Sequence, residues 1–389
     1  MDTKALDKQY IMNTYGRYDV ALKSGKGCTA YDEDGKKYLD VSSGIGVNAL
    51  GYSDDGWVNA VTAQLNEIQH MSNYFYSSQS SKLAEKLCSL TPFTKACFGN
   101  SGAEANECAI KIARKYSFDK YGEGRNEIIT LKDSFHGRTI TTLSATGQDK
   151  FHNYFFPFTE GFKYAEADID SVKNLFSDKT CAVLIECVQG EGGVNIMDRE
   201  FVQKLRKICD KKDLVLIVDE VQTGIGRTGK LFCYENFDIV PDLITCAKGL
   251  GGGLPIGLCL CTEKLENVLV PSTHGSTFGA NPAVCAGANY VIDTITSGDF
   301  LNEVNKKGAY LMDKLKNLDG VKSVRGLGLM IGIELEKDNA HDIAVKCVES
   351  GLLIITAKNL LRMLPPLIIS YDEIDEAVKI LDKTIQEDI

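Results

Sequence analysis

Lys248 and Asp219 are the two residues of this chain best placed to do chemistry. Lys248 ends the apolar run Leu243-Ile244-Thr245-Cys246-Ala247 and opens the glycine-rich stretch Gly249-Leu250-Gly251-Gly252-Gly253. Asp219 ends a second such run, Leu214-Val215-Leu216-Ile217-Val218. A lysine amine that forms a Schiff base and an aspartate that keeps a pyridine nitrogen protonated are the two groups that pyridoxal phosphate chemistry asks of a protein. In water a lysine is a point charge with a pKa of roughly 10.4. Setting one at a strand end in a dry cleft costs free energy unless its amine is used or paired. The plain alternative is a strand-terminal lysine that reaches solvent, and two residues alone do not separate the readings.

Other segments bear on the choice. In Asn100-Ser101-Gly102-Ala103-Glu104, Ser101 reads as a helix N-cap and Glu104 as the far side of a capping box. Small residues at a helix mouth let a phosphate reach free N–H groups and the positive dipole end, although a plain capped helix fits as well. The segment is also near G-x-S-x-G, but it has Ala103 in place of the last glycine. Gly224-Ile225-Gly226-Arg227-Thr228-Gly229 matches G-x-G-x-x-G after a strand. A dinucleotide fingerprint opens a helix at once, whereas Lys230 to Phe237 has no helical stripe, which weighs against an NAD-dependent oxidoreductase. In His274-Gly275-Ser276-Thr277 the two hydroxyls could hold an anion, or simply make a turn. In Phe135-His136-Gly137-Arg138 the aromatic could stack on a ring and the arginine could clamp a carboxylate.

The elements that must position these residues follow from periodicity. Short apolar runs at 127–131, 182–186, 214–218 and 242–247 alternate with segments long enough for crossovers, as in a mostly parallel sheet covered on both faces. Arg325 to Leu335 reads as one strand, 342–349 as a helix and 352–356 as a strand. The last helix starts at about Asp372, with Ile374, Ala377, Val378, Ile380 and Leu381 on one stripe. Near the start, Thr29 to Asp40 reads as two strands joined by an Asp34-Gly35 turn, too small to fold alone and expected to pack on the C-terminal unit. The expected fold class is α/β, with residues 46–285 forming a large sheet domain. Residues 1–45 and 286–389 together form a smaller α+β domain.

Composition bounds the rest. A chain of 389 residues, 44% apolar and 25% charged, suits a soluble globular enzyme. A formal charge of −10 with no basic run argues against nucleic acid. Met1 to Asp7 lacks a signal-peptide core, and no apolar run reaches membrane-spanning length. The 13 cysteines contain no C-x-x-C pair and lie mostly in apolar stretches, so they read as reduced thiols of a cytoplasmic protein. The 5 histidines show no metal-ligand spacing, and no metal is expected.

Taken together, these segments, with Gln189-Gly190-Glu191-Gly192-Gly193 and Arg362-Met363-Leu364-Pro365-Pro366, resemble the class III aminotransferases of the fold-type-I pyridoxal phosphate superfamily. Within it, the likeness to acetylornithine and ornithine aminotransferases is strongest and runs from Tyr15 to the last helix. The resemblance implies a seven-stranded sheet domain, pyridoxal 5′-phosphate as cofactor and a homodimer with shared active sites. It implies Lys248, Asp219 and Glu191 as catalytic residues, with Lys248 as nucleophile and base and Asp219 on the ring nitrogen. Val221 and Phe135 would pack on the ring faces and Gln222 would reach the phenolic oxygen. Gly102 and Ala103 would bind the phosphate, joined by Thr277 of a neighbouring subunit, and Ser101 and Glu220 complete the cofactor set. Arg362 would take the α-carboxylate of glutamate, with Glu191 neutralising it when an ω-amine enters. Arg138, Tyr15 and Ser276 would hold the rest of the substrate.

The implied reaction moves the δ-amine of N2-acetyl-L-ornithine to 2-oxoglutarate. Ornithine, succinylornithine, succinyldiaminopimelate and 4-aminobutyrate are alternative donors. The chain departs from the family pattern at Gly51-Tyr52-Ser53-Asp54-Asp55, at Cys187 and at Ala280, while Ile45 replaces the tyrosine of ornithine-specific relatives.

Overall fold

The structure is a computed structural model that describes residues 2–388, so the end positions 1 and 389 of the expected domain limits lie outside it. Its centre is a seven-stranded sheet. The strands are β1 (Lys95–Gly99), β2 (Glu127–Leu131), β3 (Phe162–Ala165), β4 (Thr180–Ile185), β5 (Val215–Asp219), β6 (Leu243–Cys246) and β7 (Gly257–Cys261), in the order β1-β7-β6-β5-β4-β2-β3. β7 runs antiparallel to both neighbours, while β5 pairs in parallel with β4 and β6. β4 to β7 are buried at every position, which explains their apolar runs: both faces of this mixed, mostly parallel sheet are covered.

The helix Arg199–Lys212 shows how the crossovers arise. Asp198 caps it by accepting the Phe201 N–H, and Phe201, Val202, Leu205 and Cys209 form its buried stripe. It stops where Asp213 turns left-handed, and β5 begins two residues later. The strand ends are therefore set by local signals. The carboxyl ends of β2, β4, β5 and β6 open toward one crevice, the position where open α/β sheets bind ligands.

The chain ends pack together. Strand Lys37–Asp40 pairs antiparallel with Thr29–Asp32 across a turn in which Gly35 has φ +83°, and parallel with Leu352–Leu353 near the C-terminus. A second four-stranded sheet contains Val321–Leu327, Met330–Leu335, Leu360–Met363 and Ile355–Ala357. The expected single strand over 325–335 is thus a hairpin. Gly328, at φ +54°, makes the turn that periodicity alone did not reveal. The strand expected over 352–356 is likewise divided into two short pieces. One apolar cluster joins both units, from Leu39 through Val218 and Leu250 to Leu361 and Ile374. Among the described residues no helix is long and apolar enough to cross a membrane.

Candidate active site

A cavity of about 470 Å³ lies beyond the carboxyl ends of the central strands. Its volume is in the range of small-molecule sites. Lys248, Asp219, Glu191, Phe135, Val221, Gln222, Ser101, Gly102, Ala103 and Arg138 all line it.

Asp219 ends β5 and is 3% exposed. Its Oδ2 accepts from Asn106 Nδ2 at 2.7 Å and faces His136 Nδ1 at 2.8 Å, while Oδ1 accepts the Val221 N–H at 3.0 Å. Asn106 is fixed in turn by the Thr245 hydroxyl at 2.7 Å and the His136 carbonyl at 2.8 Å. Among the described residues His136 is the only ion-pair partner of this buried carboxylate. Such a group has strong reason to accept a cationic N–H. Asn106 and His136 were not singled out in the sequence. Their signal was a polar side chain on the apolar face of a helix and a histidine beside a cavity aromatic.

Lys248 follows β6 at φ +42°, in the left-handed region that favours glycine. A strained residue at a crevice is a mark of function. Burial, and then the positive charge of Arg362, push its amine down to about 8, against the weaker upward pull of Glu191 and Asp219. A lysine so shifted is a usable nucleophile and base near neutrality.

The helix Gly102–Tyr121 opens at the other wall. Ser101 accepts the Glu104 N–H at 3.2 Å. The expected capping box is offset, because the Glu104 carboxylate accepts from the Asn100 N–H rather than from that of Ser101. Gly102 and Ala103 occupy the first turn, whose N–H groups have no acceptor within the helix. A side chain at Gly102 would bring its Cβ to 2.6 Å from Val221 Cγ1, so only glycine lets this helix mouth close on Val221.

Arg362, on strand Leu360–Met363, is 2% exposed and stands behind the wall. Its Nη1 reaches Glu191 Oε1 at 2.9 Å and Gln222 Oε1 at 3.2 Å, and both partners line the cavity. Its Nε is buried without a partner. Arg138 is exposed at the rim, its guanidinium carbon 4.2 Å from the Phe151 ring centre and 5.3 Å from that of Phe135.

Several expected residues are elsewhere. Glu220 faces away from the cavity: Oε1 accepts the Tyr234 N–H at 2.8 Å and Oε2 the Thr223 hydroxyl. Its place in the cofactor set is therefore corrected, since neighbouring strand residues point to opposite faces. Tyr15 is 72% exposed, and Thr277 is exposed as well. Neither lines the cavity within one chain. Ser276 sits one layer out, its Oγ accepting from Asn100 Nδ2 at 3.0 Å. Glu186 does line the cavity and went unmarked, although it ends the run Ala182 to Ile185 just as Asp219 ends its own. It accepts the Phe135 N–H at 2.9 Å, and burial next to Asp219 pushes its carboxyl well up. Cys97, Cys108 and His274 also bring ligand atoms within 4.8 Å of one another, a grouping that sequence spacing did not reveal. The Lys111 ammonium lies 3.0 Å from His274 Nδ1, and none of the three lines the cavity.

The family model for class-III aminotransferases matches residues 10–385. The chain belongs to the class-III aminotransferases. It is 50% identical over 387 residues to the acetylornithine aminotransferase of Haemophilus ducreyi, covering 99% of this chain and 98% of the relative. It is 46% identical over 387 residues to the acetylornithine aminotransferase of Caldanaerobacter subterraneus, covering 98% of each. The ornithine aminotransferase of Toxoplasma gondii superposes with a TM-score of 0.94 at 29% identity, over 99% of this chain and 94% of that one. As a class-III aminotransferase the chain is a fold-type-I enzyme that uses pyridoxal 5′-phosphate. The cavity fits that cofactor: a buried carboxylate for the ring nitrogen, a lysine of lowered basicity, and a glycine-opened helix mouth for the phosphate.

Proposed function

We propose that the chain moves the δ-amine of N2-acetyl-L-ornithine to 2-oxoglutarate, giving N-acetyl-L-glutamate 5-semialdehyde and L-glutamate, as a step of arginine biosynthesis. The covered guanidinium of Arg362 carries the ω-amine reading. An ω-amine substrate has no carboxylate on its reacting carbon, whereas glutamate does, so a site serving both needs an arginine that can be hidden and exposed. Glu191 hides it here, and Gln222 shares the contact. The names of the relatives at 50% and 46% identity support the acyl group. So does Ile45, two residues from the cavity residue Val47, in place of a tyrosine.

The geometry of the cavity supports the following roles. Bound pyridoxal phosphate supplies the electron sink and carries the amino group between the two half-reactions. Asp219, oriented by Asn106, His136 and the Val221 N–H, keeps a cationic ring nitrogen in place. Lys248 Nζ holds and returns the proton removed from the substrate carbon. Phe135 and Val221 confine the ring, while Ser101, Gly102 and Ala103 receive the phosphate. Glu191 swings off Arg362 when glutamate enters and back when it leaves. Arg138 takes the distal carboxylate, helped by Tyr15.

We also propose a homodimer in which Thr277 of one copy reaches the phosphate site of the other and Ser276 lies at its edge. Exposed Tyr74, Phe75 and Tyr76 support this, because Asn73 ties them to the loop of Ser276 and exposed Phe278 through the Ser276 and Gly279 carbonyls, both at 2.9 Å. An apolar surface of this kind marks an interface. We assign residues 46–285 to the sheet domain and 1–45 with 286–389 to the smaller one, supported by the pairing of 37–40 with 352–353. We place the enzyme in the cytoplasm, where thirteen free cysteines, all but Cys88 and Cys97 buried, suit reducing conditions.

A donor panel tests the substrate. Glutamate formation from 2-oxoglutarate should be fastest with N-acetylornithine; a preference for ornithine or 4-aminobutyrate would reject the acyl reading.

A further inference from the structure

The Gly224 to Gly229 loop takes no part in the cavity, yet it holds a buried arginine. Arg227 grips the C-terminal unit at three points. Its carbonyl accepts the Leu329 N–H at 3.0 Å, and its Nη1 donates to the Leu329 carbonyl at 3.0 Å and the Pro365 carbonyl at 2.6 Å. Gly328 permits this approach, since a Cβ there would lie 2.7 Å from the Arg227 carbonyl oxygen.

Pro365 comes three residues after Arg362, and its segment is held on the other side as well. The Leu364 N–H donates to Val41 O at 2.7 Å, the Leu367 N–H donates to Ala49 O at 2.8 Å, and the Ser43 hydroxyl donates to the Leu364 carbonyl. The strand carrying Arg362 thus runs into a seat built from several parts of the chain, in which Arg227 is the charged side chain that donates to it.

That charge is expensive. Arg227 Nη2 and Asp40 Oδ2 are both buried without a partner, and burial lowers the guanidinium to about 9 while Asp40 draws it back up. An apolar side chain would fill such a place at less cost. What a guanidinium adds is a rigid plane that fixes the two N–H directions of Nη1, which meets both carbonyls.

We propose that Arg227 is a positioning residue for Arg362, seating the end of its strand so that the Arg362 guanidinium meets the α-carboxylate of glutamate and 2-oxoglutarate. The inference rests on the reading of Arg362 as the carboxylate clamp. It gives the G-x-G-x-x-G loop a task unrelated to dinucleotides.

The test compares single-turnover half-reactions of the cofactor-loaded enzyme, with glutamate and with N-acetylornithine, in Arg227→Lys and Gly328→Ala. The first keeps the charge and loses the rigid plane that aims Nη1 at both carbonyls; the second pushes the turn off the Arg227 carbonyl. Displacing a binding group by about 1 Å can cost up to roughly a hundredfold, so the concentration of glutamate for half-maximal rate should rise about tenfold or more, with N-acetylornithine changed less than about threefold. Equal losses in both half-reactions, an unchanged response to glutamate, or failure of both variants to retain cofactor would overturn the proposal, the last because the grip would then serve the whole fold. Arg362→Lys separates the two levels. If it spares glutamate, the clamp reading fails; if it weakens glutamate while the other variants do not, only the positioning role fails.

Discussion

The Arg362 guanidinium is covered by Glu191, whose Oε1 it reaches at 2.9 Å. Arg362 is buried while the Glu191 side chain is 32% exposed, so the acid is the partner free to move. A pair at about 4 Å is worth up to roughly 4 kcal/mol at an effective dielectric near 20, and partial exposure reduces that. Removing the acid with Glu191→Ala should therefore favour glutamate and impair the ω-amine half-reaction, changing their rate ratio by about tenfold or more. Rapid mixing with each substrate reads this ratio. An equal effect on both substrates would remove the gate.

Asp219 sits in a fixed frame of Asn106, His136 and the Val221 N–H, and Asp219→Asn keeps the shape of that frame while losing its charge. Cofactor content should stay near that of the wild type. Turnover should fall by about 10²–10⁴-fold, the usual scale for loss of a proton-handling group. Retained turnover would refute the role of Asp219.

Burial lowers Lys248 to about 8 from an ordinary 10.5. In cofactor-free protein roughly a tenth of this amine is neutral at pH 7, against far less than a hundredth for an ordinary lysine. Acylation of Lys248, followed by peptide mass spectrometry, should rise with pH around a midpoint near 8. The unfolded chain keeps this proton up to about 10.5, so the group adds stability as pH climbs from about 8 to 10.5 and withdraws it as pH falls through 8. A midpoint near 10.5 would show that the amine is not in a dry site.

Glu220 is buried and raised to about 7 from 4.5, chiefly by burial, although the Thr223 hydroxyl and nearby backbone N–H groups oppose the shift. A folded pKa above the unfolded value gives stability that is full below pH 4.5 and lost as pH rises through 7. The loss is on the order of 3 kcal/mol. Glu220→Gln escapes it, so its melting temperature relative to wild type should improve between pH 5.5 and 8. Parallel melting curves at both pH values would count against this account.

Much of this was legible in the sequence, because a parallel strand buried on both faces writes itself as an unbroken apolar run that ends where the crevice begins. Lys248 and Asp219 were found that way. Glu186 carried the same sign and was passed over. Glu220 was misplaced because the alternation of side chains along a strand turns it away from the side that Asp219 faces. Offset capping by Glu104 and the hairpin at Gly328 depend on contacts with Asn100 and Arg227, which periodicity does not encode. Tyr15, Ser276 and Thr277 stay outside the cavity of a single chain, and no local pattern in the sequence marks that distance.

The most direct test of the whole account is where the cofactor attaches. Holoenzyme reduced with borohydride and digested should yield one peptide carrying the cofactor mass, with the modification on Lys248. Attachment at any other lysine, or protein that takes up no cofactor at all, would contradict it.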